Sequence, residues 1–237
     1  MNNSDKLIVA LDTPSLDVVQ KLLVELEGVV SFYKIGFELF TAHGWAAVEL
    51  VRKHGGRIFL DLKLHDIPNT VSKTAAVICE HEIEMFNVHA LGGFEMMKKT
   101  REVVDERIKD PKKRPLILGV TVLTSHREEE LSRELGITKK LQDEVLDLAR
   151  LAKKAGLDGV VSSPEETAML RKEFPGDFLI VTPGIRAPEN PKGDQKRTLS
   201  PKQALEAGAS YLVVGRPITA SPNPRQEALA ILSSISS

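Results

Sequence analysis

The stretch DLKLHDIPNT, residues 61–70, brings two acids and a lysine together as Asp61, Lys63 and Asp66. It overlaps an apolar run at 57–62 that predicts a buried strand. Because side chains alternate along a strand, we expect Asp61 and Lys63 to point the same way, whereas Asp66 follows the strand end. Charges beside a buried strand are costly unless they pair or do chemistry. A structural ion pair is the alternative interpretation, but such a pair gains little over an apolar core, so we favour catalysis.

Polar residues also lie at or near the ends of other apolar runs. They are Asp12, Lys34, Thr124, Arg186 and Arg216, the last preceded by Gly215. A single polar residue at a strand end often only caps a helix. Lys34, however, lies inside the run SFYKIG, where a lysine facing solvent would be unusual. The shared placement of the whole set indicates one functional edge.

Eight apolar runs alternate with helical stretches along the chain. The runs are LIVALD (7–12), SFYKIG (31–36), RIFLDL (57–62), MFNVHA (85–90), LILGVTV (116–122), GVVSS (159–163), FLIVTP (178–183) and YLVVG (211–215). Nearly continuous hydrophobicity is typical of parallel strands that are buried on both faces. Eight βα units in 237 residues favour one closed (β/α)₈ TIM barrel domain over residues 1–237. An open doubly wound sheet is the competing architecture.

Cap signals mark where the intervening helices begin and end. Three pairs predict an N-cap followed by proline: Thr13-Pro14, Ser163-Pro164 and Ser200-Pro201. Three glycines predict helix C-caps: Gly55, Gly156 and Gly208. The connection 124–137 predicts a short extra helix, and the long connection 183–199 follows the seventh strand on the active-site face of a barrel.

The last two strand ends are typical of a phosphate site. Barrels bind phosphate after strands seven and eight, often through backbone N–H groups at a helix start. Here PGIR supplies Arg186, and VVGRP supplies Gly215 and Arg216. Glycine allows the backbone to approach an anion closely, and the arginine fork matches phosphate geometry. Two solvated loop arginines are the alternative, which we rank second.

Bulk properties exclude several classes of function. The chain is 42% hydrophobic with a formal net charge of −1, so nothing indicates a nucleic-acid or membrane partner. Neither a signal peptide nor a membrane span is expected. Cys79, the one cysteine, has an apolar helical context that predicts a small buried hydrophobe. These features fit a cytoplasmic protein, and no zinc-protease, Walker or serine-hydrolase motif is present.

Two histidines lie near the predicted functional edge. His65 lies inside the charged stretch, and His89 ends the fourth apolar run. Either can act as a base or a ligand. For His89 we favour a supporting, hydrogen-bonded role.

Taken together, these segments resemble the orotidine 5′-phosphate decarboxylase family, bacterial type. The resemblance covers almost the whole chain through VALD (9–12), YKIG (33–36), DLKLHDIPNT (61–70), NVHALGG (87–93), VTVLTS (120–125), VTPGIR (181–186), DQKR (194–197) and VVGRPIT (213–219). It implies a fold like that of the ribulose-phosphate-binding barrels. It also implies decarboxylation of orotidine 5′-phosphate to UMP and CO₂, the last step of de novo UMP biosynthesis, without cofactor or metal.

The resemblance further implies a role for each matching residue. Lys63 is the proton donor, and Asp61 lies beside the substrate carboxylate. Asp66 and Thr70 reach across a homodimer interface into the partner's site.

The remaining matches imply the binding groups for the substrate. Asp12 and Lys34 contact the ribose region, and Lys34 also joins the charged network. Thr124 contacts the pyrimidine. The phosphate is held by Arg186, Gln195, Gly215 and Arg216.

Two other functions compete with this one. A magnesium-dependent sugar-phosphate decarboxylase or synthase of the same barrel group shares the D-x-K-x-x-D core. By resemblance, such enzymes carry an acidic metal ligand on the second strand, where this chain has Lys34. A non-enzymatic barrel that only binds a phosphate ligand predicts broken catalytic residues, whereas the charged cluster here is intact.

Overall fold

Within residues 3–185 and 199–235, which the computed structural model describes, the eight predicted apolar runs all form strands. The strands are β1 Leu7–Ala10, β2 Phe32–Gly36, β3 Arg57–Leu64, β4 Met85–His89, β5 Leu116–Val120, β6 Gly159–Val161, β7 Leu179–Thr182 and β8 Tyr211–Val214. Each strand pairs in parallel with the next, and β1 pairs with β8 to close the barrel. The predicted (β/α)₈ barrel is therefore confirmed.

Helices follow the strands and cover the outside of the barrel. They are α1 Leu16–Glu25, α2 Phe37–His43, α3 Trp45–Lys53, α4 Pro68–Glu80, α5 Phe94–Arg107, α6 Glu128–Leu135, α7 Leu141–Lys154, α8 Thr167–Glu173, α9 Pro201–Glu206, α10 Arg216–Thr219 and α11 Pro224–Ser234. Short 3₁₀ segments lie at Asn3–Lys6, Ala90–Gly92, Pro111–Lys113 and Pro164–Glu166. Helix α6 is the short extra helix predicted within 124–137. No helix in the described ranges combines the length and apolar character that a membrane span needs.

Local hydrogen bonds explain where helices begin. The Ser200 hydroxyl accepts the Gln203 N–H at 3.3 Å, and the Gln203 side chain accepts the Ser200 N–H at 3.1 Å, which closes a capping box at the N-cap predicted for α9. The Glu166 carboxylate accepts the Ser163 N–H at 2.9 Å, so the chain turns at Ser163-Pro164 as predicted.

The prediction of Thr13 as the N-cap of α1 is wrong. Helix α1 starts at Leu16, and the Ser15 hydroxyl accepts the Val18 N–H at 3.4 Å. The Thr13 hydroxyl instead accepts the Ser15 N–H at 3.4 Å, in a local turn that delays the helix.

The three predicted C-cap glycines follow α3, α7 and α9. Gly55, Gly156 and Gly208 have φ angles of 72°, 84° and 104°, respectively. This is the left-handed region that commonly ends a helix and that glycine adopts without steric penalty. Cys79, predicted to be a small buried hydrophobe, packs against the outer core but is only partly buried.

Alternate strand residues build two separate cores. The core inside the barrel contains Ile8, Ala10, Phe32, Phe59, Met85, Leu118, Val181, Tyr211 and Val213. The intervening residues, such as Val9 and Leu60, pack outward against the helices. Two positions beyond Phe32, Phe59 and Met85 come Lys34, Asp61 and Asn87. The strand period therefore stacks these polar side chains above the apolar layer, at the carboxyl mouth of the barrel.

Candidate active site

A cavity of about 600 Å³ opens at the carboxyl ends of the strands. Most of the described residues that the sequence singled out line it: Asp12, Lys34, Asp61, Lys63, Thr124, Gly215 and Arg216. They come from the ends of five different strands or the segments that follow them. The predicted functional edge is thus a real concave site, of the kind that holds a small ligand.

Four charged side chains form a continuous chain across this cavity. The Lys34 ammonium lies 2.8 Å from Asp12 Oδ1 and 3.3 Å from Asp61 Oδ2. The Lys63 ammonium lies 2.7 Å from Asp61 Oδ1. Charges of opposite sign therefore alternate in the order Asp12, Lys34, Asp61, Lys63, and each contact offsets part of the cost of burying the next charge.

The two lysines of the charged chain differ in how exposed they are to solvent. The Lys34 side chain is 10% exposed and is held between two carboxylates, whereas the Lys63 side chain is 29% exposed. Of the two, Lys63 is therefore the more accessible to a ligand in the cavity. Lys34 also fixes Asp12 and Asp61 relative to each other.

Asp61 and Lys34 remain charged although both are buried, because neighbouring groups of the site stabilise their charged forms. Burial by itself raises the pKa of Asp61, but the charges of Lys34 and Lys63 and the hydrogen bonds from Lys63 and Asn87 outweigh it and lower the pKa below the ordinary value. Burial likewise lowers the pKa of Lys34, but Asp61 and Asp12 outweigh it and raise the pKa. Asp61 is thus an anion and Lys34 a cation at neutral pH.

The end of β3 departs from a regular strand where it presents Lys63. Its pairing with β4 runs Leu60↔Phe86 and then jumps to Leu64↔Val88, so two extra residues bulge out of β3. Lys63 has a φ of 43°, in the left-handed region that costs a non-glycine residue about 1–2 kcal/mol. The expectation that Asp61 and Lys63 lie side by side is confirmed, but the bulge achieves it rather than simple alternation.

Asn87 on β4 was missed by the sequence interpretation. Its amide oxygen accepts the Lys63 backbone N–H at 2.7 Å, and its amide nitrogen donates to Asp61 Oδ1 at 2.7 Å. The signal was available: Asn87 stands inside MFNVHA, a run predicted to be a buried strand, and a buried amide requires partners.

Asp66 and Thr70 lie apart from the charged chain. Both are exposed and line a second cavity of about 300 Å³, which also includes Phe37 and Lys63. In the described residues, Asp66 makes no ion pair within 4.0 Å, and its carboxylate accepts the neighbouring Ile67 N–H at 2.7 Å. The three charges of DLKLHD are therefore a pair plus a separate acid within one protomer.

The phosphate-site prediction is only partly visible. Gly215 immediately precedes α10 and Arg216 begins it, and both lie on the cavity wall. Arg186 and Gln195 lie outside the described residues. Their predicted role is not tested by the structure.

The two histidines near the edge stack on each other. The His65 and His89 rings lie 5.3 Å apart. Burial, with the charges of His65, Lys63 and His126, lowers the pKa of His89 to about 4, so its ring is neutral at physiological pH. Among the described residues, His89 Nδ1 has no hydrogen-bond partner, so the supporting bond predicted for His89 is not found at that atom.

Comparison with known proteins identifies the family. Residues 5–231 match the family model described as orotidine 5′-phosphate decarboxylase / HUMPS family. This chain belongs to that family. It is 47% identical over 230 residues to the orotidine 5′-phosphate decarboxylase of Geotalea daltonii, covering 97% of this chain and 95% of the relative.

Other members of the family give the same picture. The orotidine 5′-phosphate decarboxylase of Moorella thermoacetica is 46% identical over 236 residues, covering 99% of this chain and 94% of the relative. The crystal structure of orotidine 5′-phosphate decarboxylase from Lactobacillus acidophilus superposes with a TM-score of 0.86 at 38% identity, covering 98% of this chain and 100% of that chain. Family membership and fold thus extend over nearly the entire length.

Proposed function

We propose that this protein removes CO₂ from orotidine 5′-phosphate to form UMP in pyrimidine biosynthesis, with Lys63 as the proton donor. The observation that carries the proposal is the chain of alternating charges Asp12, Lys34, Asp61 and Lys63, at the mouth of a barrel of this family. It ends on an ammonium that faces the cavity.

The reaction requires charge placed in advance. When the bond between C6 and the carboxylate breaks, its electron pair stays on C6 in the ring plane, where the π system does not delocalise it well. Fixed charges aimed at that point supply the stabilisation. The Lys63 ammonium is a cation held in place by Asp61, and it then transfers one N–H proton to C6. The neutral amine regains a proton from solvent.

Asp61 can also act on the substrate before the bond breaks. Its carboxylate would lie beside the substrate carboxylate, and two like charges about 4 Å apart repel by about 4 kcal/mol at an effective dielectric of 20. This repulsion is too small to explain a very large acceleration. We therefore assign the larger part of the effect to stabilisation of the transition state.

The remaining residues singled out by the sequence are assigned to substrate binding. Asp12 and Lys34 contact the ribose, and Thr124 contacts the pyrimidine. The phosphate group is assigned to Arg186, Gln195, Gly215 and Arg216. The phosphate does no chemistry, but its grip orients the ring against Lys63, so remote binding energy is used at the reacting centre.

The quaternary arrangement is part of the proposal. Asp66 and Thr70 are exposed at the mouth beside Ile67, which is 66% exposed, and Phe37, which is 57% exposed. We assign this surface to a homodimer in which Asp66 and Thr70 complete the partner's site. A cytoplasmic location and a single catalytic domain over the whole chain remain predictions.

A metal-dependent sugar-phosphate enzyme of the same barrel group is the competing function. Lys34 argues against it, because its ammonium lies between Asp12 and Asp61 and already pairs with both carboxylates. Among the described residues, no group of three or more acidic, histidine or cysteine side chains is arranged to hold a metal ion.

One assay tests the proposal. Purified protein is mixed with orotidine 5′-phosphate, and the ultraviolet absorbance is followed with and without EDTA. We expect loss of substrate absorbance and formation of UMP at the same rate in both samples. Turnover abolished by EDTA would favour the metal-dependent enzyme, and nucleotide binding without turnover would favour a non-enzymatic binding protein.

A further inference from the structure

Asn87 links β4 to the end of β3 that carries the charged pair Asp61 and Lys63. It lies on β4 and is 1% exposed. Its single carboxamide makes two contacts of 2.7 Å, one accepted from the Lys63 backbone N–H and one donated to Asp61 Oδ1. The same Asp61 oxygen also receives the Lys63 ammonium at 2.7 Å. A closed loop of contacts therefore runs from the Lys63 backbone through Asn87 and Asp61 to the Lys63 side chain.

The β3 bulge explains why this carboxamide is needed. Pairing between β3 and β4 jumps from Leu60↔Phe86 to Leu64↔Val88, so Lys63 lies in the interval without a ladder partner. Its backbone is left-handed, with a φ of 43°. A partly buried N–H without a partner costs about 1–3 kcal/mol. The Asn87 oxygen replaces the missing ladder partner and holds the backbone in the conformation that aims Lys63 into the cavity.

We propose that Asn87 is a positioning residue of the decarboxylation reaction. It fixes the Lys63 ammonium at the reacting point by holding both the Lys63 backbone and the Asp61 carboxylate. This inference rests on the proposed function. It goes beyond the proposed function because it assigns the positioning of the proton donor to Asn87, a neutral residue that does not line the cavity.

Two substitutions separate this role from a contribution to stability alone. Asn87→Leu keeps a similar volume but removes both hydrogen bonds. We expect kcat to fall about 100-fold, because a small displacement of a catalytic group has an effect of that order, while KM changes by less than about threefold. The matched control is Thr121→Val, which removes a fully buried hydroxyl that donates to the Val161 carbonyl at 3.1 Å and that, among the described residues, makes no hydrogen bond to the charged chain. Its kcat should stay near that of the wild type.

Asn87→Asp provides a pH signature. The carboxylate still accepts the Lys63 N–H, but it cannot donate to Asp61 and adds a like charge beside it. Two carboxylates that share a site raise the pKa of one of them, and the protonated form can donate as the amide did. We therefore expect the ratio of kcat for Asn87→Asp to kcat for the wild type to rise as the pH is lowered from 8 to 5.

Each outcome decides the matter. A folded Asn87→Leu protein with kcat within threefold of wild type would overturn the inference, as would an equal loss in Thr121→Val. If Asn87→Leu does not fold, the pH ratio of Asn87→Asp decides instead, and a flat ratio counts against positioning. Wild-type protein without any turnover would overturn the proposed function and this inference together. If the wild type is active, the kcat values of the Asn87 variants test the positioning role alone.

Discussion

Lys63 is held at three points that differ in chemistry. Its ammonium contacts Asp61, its backbone N–H contacts Asn87, and the Phe37 ring lies 5.8 Å from its Nζ. A flexible lysine loses rotamer freedom when it is fixed in this way. The gain is that the cation stands ready before substrate arrives, so less reorganisation is needed during the reaction.

Removal of the Lys63 ammonium tests its role directly. We expect Lys63→Ala to lower kcat by about 10²–10⁴-fold or more. General acid catalysis alone contributes a factor in this range, and the variant loses both the proton donor and the positive charge. Steady-state ultraviolet assays measure the change, and circular dichroism confirms the fold. Lys21→Ala, an exposed lysine on α1, is the control and should retain wild-type kcat. Near-wild-type turnover in Lys63→Ala would refute the mechanism.

Arg216 is assigned to phosphate binding rather than to catalysis. If it binds the phosphate, Arg216→Ala loses a charged hydrogen bond of about 1.5–3 kcal/mol, which corresponds to roughly a 10- to 150-fold lower kcat/KM. Arg133→Ala on α6 is the matched control, since the Arg133 side chain is 79% exposed. An unchanged kcat/KM in Arg216→Ala would contradict the phosphate assignment.

At the level of elements, β2 and β3 must bring two lysines and an acid into one small space. The end of β2 makes room for this, because a Cβ atom on Gly36 would lie 2.8 Å from Lys34 Nζ and 3.3 Å from Asp12 Oδ1. Gly36 has an ordinary backbone conformation, so its requirement is space rather than φ. The end of β3 contributes the bulge that turns Lys63 towards Asp61.

This requirement for space predicts the effect of one methyl group. Gly36→Ala should displace the Lys34 ammonium and lower kcat/KM about tenfold or more, because misplaced groups lose catalytic geometry. Gly28→Ala is the contrasting control: nothing lies within 4 Å of its Cβ, but its φ is 72°. It should lower the free energy of unfolding by about 1–2 kcal/mol and leave kcat/KM unchanged. Wild-type kcat/KM in Gly36→Ala would show that the lysine tolerates the methyl group.

For the whole molecule, the proposed dimer places Asp66 in the partner's site. The structure leaves Asp66 and Thr70 exposed at the mouth, and among the described residues neither forms an ion pair or a hydrogen bond with the charged chain of its own protomer. A site completed in trans would make the dimer the active unit and would make activity depend on protein concentration.

Mixed dimers test this arrangement. Lys63→Ala and Asp66→Ala proteins should each be nearly inactive, because every site lacks one group. After subunit exchange, half of the dimers are mixed, and each mixed dimer holds one site with both residues intact. We expect recovery of about one quarter of wild-type kcat per site for random exchange. Confirmed exchange without recovery would contradict sharing of Asp66.

The sequence by itself determined the barrel and most of its mouth. Continuous apolar runs predict parallel strands, and the period of two places Lys34 above Phe32 and Asp61 above Phe59 on the inner face. These are local rules of chain geometry, so they can be applied without knowing the neighbours.

Only the tertiary structure decided the rest. Strand alternation gave the right neighbours for Asp61 and Lys63 but not the β-bulge or the left-handed Lys63, because a bulge depends on how β3 pairs with β4. The role of Asn87 depends on the same pairing, which brings β4 against residues more than 20 positions away in the chain. The charges of DLKLHD likewise divide into a bonded pair and a separate Asp66, since hydrogen bonds and ion pairs act over a few ångströms in space rather than along the sequence.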